Sequence, residues 1–307
     1  MRSTISPLRR LRAKVVPALF LAPVTLYVLF FFAYPLAFGV VISVENYGFS
    51  ALVHGSGPFV GLANYREALS DPVTIAALRN TVVFTVSSVF FQVTLGLALA
   101  LLLNQTFFLS NFLRRLVLVP WLLPLVATGT IFAQLFGSQN SLVNSVLQRL
   151  HLVTQPIPWL IQFNWAMVAL VIVNIWAGLP FNTIVFYAGL QDLDATLFEA
   201  SRVDGANAWQ RFRHLTMPLL RPVTSIVLLL GIIGTVKVFD LVMVITQGGP
   251  DNETQLLSTW AYSVAFTNFN FGEAAAIGNI LLIICMVAAA IYIRRLRKER
   301  AHLGRSV

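Results

Sequence analysis

Charge is what this sequence has least of. Only 11% of its 307 residues are Asp, Glu, Lys or Arg, against roughly 25% in ordinary soluble domains, and that deficit excludes an ordinary soluble globule. Cysteine occurs once, as Cys285, which excludes an internal disulfide and any Cys-based metal site. The three lysines are Lys14, Lys237 and Lys298, and none follows a glycine, so the Gly-x4-Gly-Lys loop that cradles phosphates is absent. His54, His151, His214 and His302 fall in loops or tails, and neither Gly-x-Ser-x-Gly nor His-Glu-x-x-His occurs. No catalytic or metal-binding constellation remains, and the chain is not expected to be an enzyme.

What is abundant is apolar sequence, 57% of the chain. Runs near 17–44, 80–103, 114–136, 163–190, 219–246 and 274–293 each approach or exceed the roughly 20 residues that cross a bilayer. They are continuously apolar, whereas barrel strands alternate over about ten residues, and hydrocarbon tolerates only helices or closed barrels. The expected fold is therefore an all-α integral membrane protein with six transmembrane helices. The first run has a basic leader but is far longer than the 7 to 15 apolar residues of a signal peptide, so it counts as a span.

Lys and Arg gather in short cytoplasmic segments. With the N-terminus inside, 17 of the 21 basic residues lie on inner segments. Arg66, Arg79 and Arg149 fall outside, and Lys237 lies within a span. This predicts cytoplasmic termini, as tails 1–16 and 294–307, flanking a transmembrane domain 17–293 in a plasma membrane. The net charge of +9 thus has a topological cause. Nucleic acid is not an expected partner, because no soluble domain carries a compact basic patch. The basic run from Arg294 to Arg300 reads as a stop-transfer flank that can touch anionic lipid.

The inner segment 191–218 carries Glu199-Ala200-Ser201-Arg202-Val203-Asp204-Gly205-Ala206, then Leu215-Thr216-Met217-Pro218. Asp192 and Asp194 suit a helix N-terminus, and Leu197, Ala200, Val203 and Ala208 can share one side of a short helix that Gly205 breaks. Small residues at Ala200, Ser201, Gly205 and Ala206 permit close approach by a partner, and Trp209 and Phe212 offer aromatic anchors. Physics alone leaves open an amphipathic helix lying on the membrane. The segment closely resembles the "EAA" loop of permease subunits of binding-protein-dependent ABC importers, of the maltose and glycerol-3-phosphate type that handles carbohydrates. Ser201 stands where that family usually has a second Ala, and Leu215 and Met217 stand near its usual Ile and Leu. Phe59-Val60-Gly61-Leu62-Ala63-Asn64-Tyr65, Thr246-Gln247-Gly248-Gly249-Pro250 and Phe271-Gly272-Glu273-Ala274-Ala275-Ala276 also look like its signatures.

The resemblance implies the six-helix ABC importer permease fold, import as the direction, and coupling to a separate ATPase through Glu199, Ala200, Ser201, Asp204, Gly205, Ala206, Trp209 and Pro218. It implies a second permease subunit, two ATPase subunits and an external solute-binding protein as partners. The chain itself needs no cofactor, since ATP and Mg2+ would be bound by the ATPase.

A solute pathway calls for polar or small residues on inward helix faces. Asn174, Gly178, Phe181 and Asn182 lie on one face of the fourth span, in a segment similar to the one that lines the sugar site of maltose-type permeases. Ring stacking and amide hydrogen bonds suit a sugar, whereas close helix packing at Gly178 and a kink at Pro180 are the structural alternative. Trp176 points roughly away. Gly231, Gly234 and Thr235 match sugar-facing positions in the fifth span, and Gly278 and Asn279 are weaker candidates in the last. Lys237 and Asp240, three residues apart, either neutralise each other or leave Lys237 for an anionic solute. An ion-gradient-driven secondary transporter is the competing class, but the spans hold one clear carboxylate and no internal repeat. A membrane scaffold docking through the Glu199 loop would need no cavity.

Overall fold

The computed structural model describes residues 19–137 and 141–303, with side chains to Arg294. The expected N-terminal tail, 1–16, and the end of the C-terminal tail, 304–307, lie outside them. In chain order the helices are α1 (Leu19–Ile42), α2 (Phe49–His54), α3 (Ala63–Ser70), α4 (Pro72–Leu103), α5 (Ser110–Leu116), α6 (Val119–Leu122), α7 (Leu125–Phe136), α8 (Leu142–Arg149), α9 (Phe163–Gln191), α10 (Ala195–Val203), α11 (Ala208–Arg211), α12 (Arg221–Val236), α13 (Asp240–Ile245), α14 (Leu257–Phe266) and α15 (Phe271–Leu303). Among the described residues the only extended pairing is an isolated bridge between Glu45 and Phe59. Helices α1, α4, α9 and α15 are each long and apolar enough to span a membrane, and the bent pairs α5–α7 and α11–α12 complete six if each is one span.

The apolar runs 114–136 and 219–246, each expected as one spanning helix (the third and the fifth), are broken by bends. In the third, Pro120 and Pro124 interrupt the run, and Leu123, which precedes a proline, is extended (φ −85°, ψ 131°). A proline disfavours the helical region for the residue before it. The pieces on either side therefore meet at 96°. In the fifth, the chain turns by 65° ahead of Arg221-Pro222, and a second break at Lys237 to Phe239 separates α12 from α13. The Val238 carbonyl at this break accepts a hydrogen bond from the Ser258 hydroxyl at 2.5 Å.

Helix α4 starts at Pro72, before the apolar run at 80. Asp71 caps it, accepting from Val73 N (3.2 Å) and Thr74 N (2.9 Å), with Pro72 at the first helical position. Both are strong start signals. At about 1.5 Å per residue its 32 residues exceed the roughly 30 Å hydrocarbon layer, so hydropathy marks only its lipid part.

The chain divides into two units. One holds the residues up to Ala68 together with Val264–Asn279. Here the two loop signatures meet: Asn64 Nδ2 donates to Ser43 O (2.9 Å) and Glu45 O (2.8 Å), Gly272 N donates to Tyr47 O (3.1 Å), and Asn279 Nδ2 donates to Tyr65 Oη (2.9 Å). A β-carbon on Gly272 would stand 2.8 Å from the Asn64 amide, so glycine is required there. No residue of α1 is buried within the chain.

The other unit runs from Leu69 to Ser263 and resumes at Ile280. Its core gathers Phe84, Phe136, Trp159, Leu170, Val173 and Leu241, with a second cluster of Ala100, Phe186, Leu220 and Val227. Asn144, fully buried, ties a loop to this core. Its Oδ1 accepts from Ile157 N (3.1 Å) and Trp159 Nε1 (3.0 Å), and its Nδ2 donates to Ile157 O (2.9 Å). Asn80 Nδ2 donates to Glu253 O (2.7 Å), and Thr81 Oγ1 accepts from Leu257 N (2.9 Å). These bonds hold the segment after the Gly-Gly-Pro turn, where Gly248 adopts the left-handed backbone (φ 84°).

Candidate functional site

Helices α4, α6, α9 and α12 line an open cavity of about 400 Å³. All seven of Asn174, Gly178, Phe181, Asn182, Gly231, Gly234 and Thr235 line it. No ionisable side chain is among its lining residues. The aromatic wall pairs Phe181 with Trp121, ring centroids 6.4 Å apart. Trp176 instead packs on Phe132 at 5.2 Å, off the cavity.

The glycines play different parts. Around Gly234 nothing lies within 4 Å of an added β-carbon, and at Gly231 only Val89 would come near, at 3.6 Å; these two leave room. Gly178 is occupied, because a β-carbon there would stand 2.5 Å from Gln92 Nε2. One turn on, Gly96 of α4 receives Asn182 of α9, whose Cβ lies 2.8 Å from the position a Gly96 β-carbon would take. Each helix therefore offers a glycine to an amide side chain of the other. Gly178 thus both packs against a neighbouring helix and lines the cavity.

Gln92 was missed by the sequence reading. It is buried and donates from Nε2 to Asn174 O at 2.8 Å. A signal was present: Thr81, Thr85, Ser88 and Gln92 recur at four, three and four residues and are all buried, a polar stripe in an apolar span. Asn182 Nδ2 donates to Gly178 O (2.8 Å). Asn174 Nδ2 and Asn182 Oδ1 are sealed without a partner, a state that costs about 1–3 kcal/mol each.

Lys237 and Asp240 are exposed and do not line the cavity. The expected i, i+3 pair fails because the helix stops at Val236 and restarts at Asp240; among the described residues no ion pair joins the two. Asn279 is engaged by Tyr65.

The Glu199 loop has a defined shape. Asp194 caps α10, accepting from Thr196 N (2.9 Å) and Thr196 Oγ1 (2.8 Å). The backbone bond, then the hydroxyl, hold its carboxyl below its ordinary pKa. Asp192 closes α9 instead. Gly205, at φ 79°, ends α10: Gly205 N donates to Arg202 O (3.1 Å) and Ala206 N to Ser201 O (2.9 Å), the paired bonds of a glycine-terminated helix. Asn207 then caps α11 in a reciprocal box with Gln210, at 2.9 and 2.8 Å. The Asn-x-x-Gln spacing announces that box in the sequence. Pro218 opens the turn Met217–Leu219.

Apolar and small surface is left uncovered. Val203 is 87% exposed and Trp209 65%, with Trp209 and Phe212 rings 5.5 Å apart. Glu199, Ala200, Asp204 and Gly205 are exposed, while Ser201 and Ala206 are half-buried.

Comparison with known proteins agrees with this architecture. The family model for the "Binding-protein-dependent transport system inner membrane component" matches residues 92–300. The chain is 34% identical over 284 residues to the arabinooligosaccharides transport system permease protein AraP of Bacillus subtilis, covering 92% of this chain and 88% of that protein. It is 34% identical over 288 residues to the sulfoquinovosyl glycerol transport system permease protein SmoG of Agrobacterium fabrum, covering 93% and 92%. In fold it matches a chain of a bacterial alginate ABC transporter crystallised with an alginate pentasaccharide-bound periplasmic protein, at TM-score 0.82 and 19% identity, over 95% of this chain and 97% of that one. The bent six-span architecture and the match from Gln92 onward lead to one assignment: the chain belongs to the binding-protein-dependent transport system inner membrane components, the permease subunits of ABC importers.

Proposed function

We propose that this permease forms half of a pathway for an uncharged carbohydrate and couples it to a separate ATPase through segment 191–218. The observation that carries the substrate class is the cavity, which combines amides, a pair of aromatic rings and glycines with no ionisable side chain. A sugar ring stacks on an aromatic face while its hydroxyls bond to amides. An anionic solute would find no cation there. Relatives named for arabinooligosaccharides and lactose support the same class.

In this reading a second permease subunit supplies the opposite half, and an external binding protein delivers the solute. Two ATPase subunits bind ATP and Mg2+, and one of them docks on Glu199, Ala200, Ser201, Asp204, Gly205, Ala206, Trp209 and Pro218 of this chain. Exposed Val203 and Trp209 supply the apolar contact such an interface needs. In this reading both termini and this loop face the cytoplasm, which the distribution of basic residues supports, and the protein sits in the plasma membrane. A secondary transporter is not favoured, because the family's members are permeases of ABC transporters, driven by ATP rather than by an ion gradient.

The test is ATPase activity of the purified assembly in lipid with its binding protein, as neutral sugars, oligosaccharides and glycerol phosphodiesters are added in turn. Stimulation by a neutral sugar supports the proposal. Stimulation by phosphodiesters alone refutes the substrate class, and absence of any co-purifying ATPase refutes the coupling.

A further inference from the structure

Three amide side chains border the cavity, and two of their oxygens, Gln92 Oε1 and Asn174 Oδ1, make no hydrogen bond among the described residues and are not sealed. Of these two amides only Gln92 is seated on a glycine of the facing helix. Asn174 Nδ2 and Asn182 Oδ1 are sealed from solvent, so a solute cannot reach those atoms in this conformation. Gln92, 4% exposed, lines the cavity with one N–H committed to Asn174 O at 2.8 Å. Its Oε1 makes no hydrogen bond among the described residues and is not one of the sealed atoms. An amide oxygen has two lone pairs to offer, and among the described residues neither is taken by a protein donor.

The place that holds this amide is built for it. A β-carbon on Gly178 would stand 2.5 Å from Nε2, 2.6 Å from Cδ and 2.9 Å from Oε1, so α9 lacks a side chain there because Gln92 fills the space. The reciprocal seat of Asn182 on Gly96 fixes the register of α4 against α9. Gln92 therefore cannot swing away without vacating a fitted slot, and its oxygen is preorganised.

We propose that Gln92 is a specificity-determining residue of the pathway, its Oε1 accepting a hydrogen bond from one hydroxyl of an uncharged carbohydrate while Gly178 seats the amide. This rests on reading the cavity as the solute pathway. A buried acceptor discriminates because an analogue lacking the hydroxyl leaves it unpaired.

The experiment measures uptake by cells carrying the complete transport system. Radiolabelled lactose, maltose, trehalose and arabinotriose are tried first, then singly deoxygenated analogues of whichever is taken up. The unaltered protein is expected to prefer the parent sugar over one deoxy analogue by about tenfold or more, and in Gln92→Leu that one ratio is expected to fall by about tenfold. A Gln92 that only packs helices would lower all uptake alike and keep every ratio, which overturns the proposal. Should Gln92→Leu fail to assemble, the Gly178→Ala/Gln92→Ser pair decides: it is expected to recover the membrane level lost by Gly178→Ala while losing the same ratio, and no recovery overturns the seating. Phe181→Ala separates the two readings. Impaired uptake in Phe181→Ala with intact ratios in Gln92→Leu overturns the Gln92 role alone, whereas no uptake of any sugar by the unaltered system overturns both.

Discussion

Gln92 occupies the space that a side chain on Gly178 would need, its Nε2 2.5 Å from where the β-carbon would be. A single hydrogen bond, from Gln92 Nε2 to Asn174 O, joins the two helices at the same level. The second and fourth spans are thereby locked in register beside the cavity.

Gly178→Ala should overpack this contact and destabilise the protein by about 1–3 kcal/mol. Gly234→Ala, with nothing within 4 Å of the new β-carbon, should change stability by less than about 0.5 kcal/mol. Thermal unfolding of the purified assembly compares them, and equal effects would contradict the two glycine roles.

Replacing Gly205 tests the loop. Its φ of 79° is costly for a β-branched residue, so Gly205→Val should distort the turn after α10 and abolish sugar-stimulated ATPase activity. Gly205→Asn, which tolerates that backbone better, should retain much of it. Full coupling in the valine variant would remove this loop from the mechanism.

Asn144→Ala should be severe although Asn144 is not among the residues that line the cavity. It removes the partners of Ile157 N, Ile157 O and Trp159 Nε1 together, and buried groups left unmet cost about 1–3 kcal/mol each, not additively. A fall of roughly 3 kcal/mol or more in unfolding free energy is expected. Intact stability would mean that water replaces the amide.

Acid should loosen α10 through Asp194. Its folded pKa lies below the ordinary value because Thr196 bonds to the carboxylate, so the cap is fully present above the unfolded value of about 3.9 and is lost as pH falls through the folded one. Protection of the Thr196 amide, taken relative to its intrinsic exchange rate at each pH, should thus stay constant between pH 5 and 8, fall below about pH 4, and lose that acid dependence in Asp194→Asn.

Much of this protein is determined by local properties of the chain. Apolar runs long enough to span a bilayer produce the helices, because lipid offers backbone groups no other partner. Asp194, Gly205 and the Asn207–Gln210 box delimit the loop helices through bonds within a few residues, so that segment was legible from its spelling. The cavity residues of α9 and α12 were legible too, as polar and small positions on apolar spans. Only the tertiary structure decided which glycine is open and which is filled, since the occupant of Gly178 comes from a helix 86 positions earlier. It also decided the bends. The prolines at 120 and 124 are visible, but the 96° turn depends on what each piece packs against. The expected Lys237–Asp240 pair failed because spacing places two charges on one face only while the helix between them is intact. Here the helix stops at Val236 and restarts at Asp240, with the Val238 carbonyl bonded to the Ser258 hydroxyl in between.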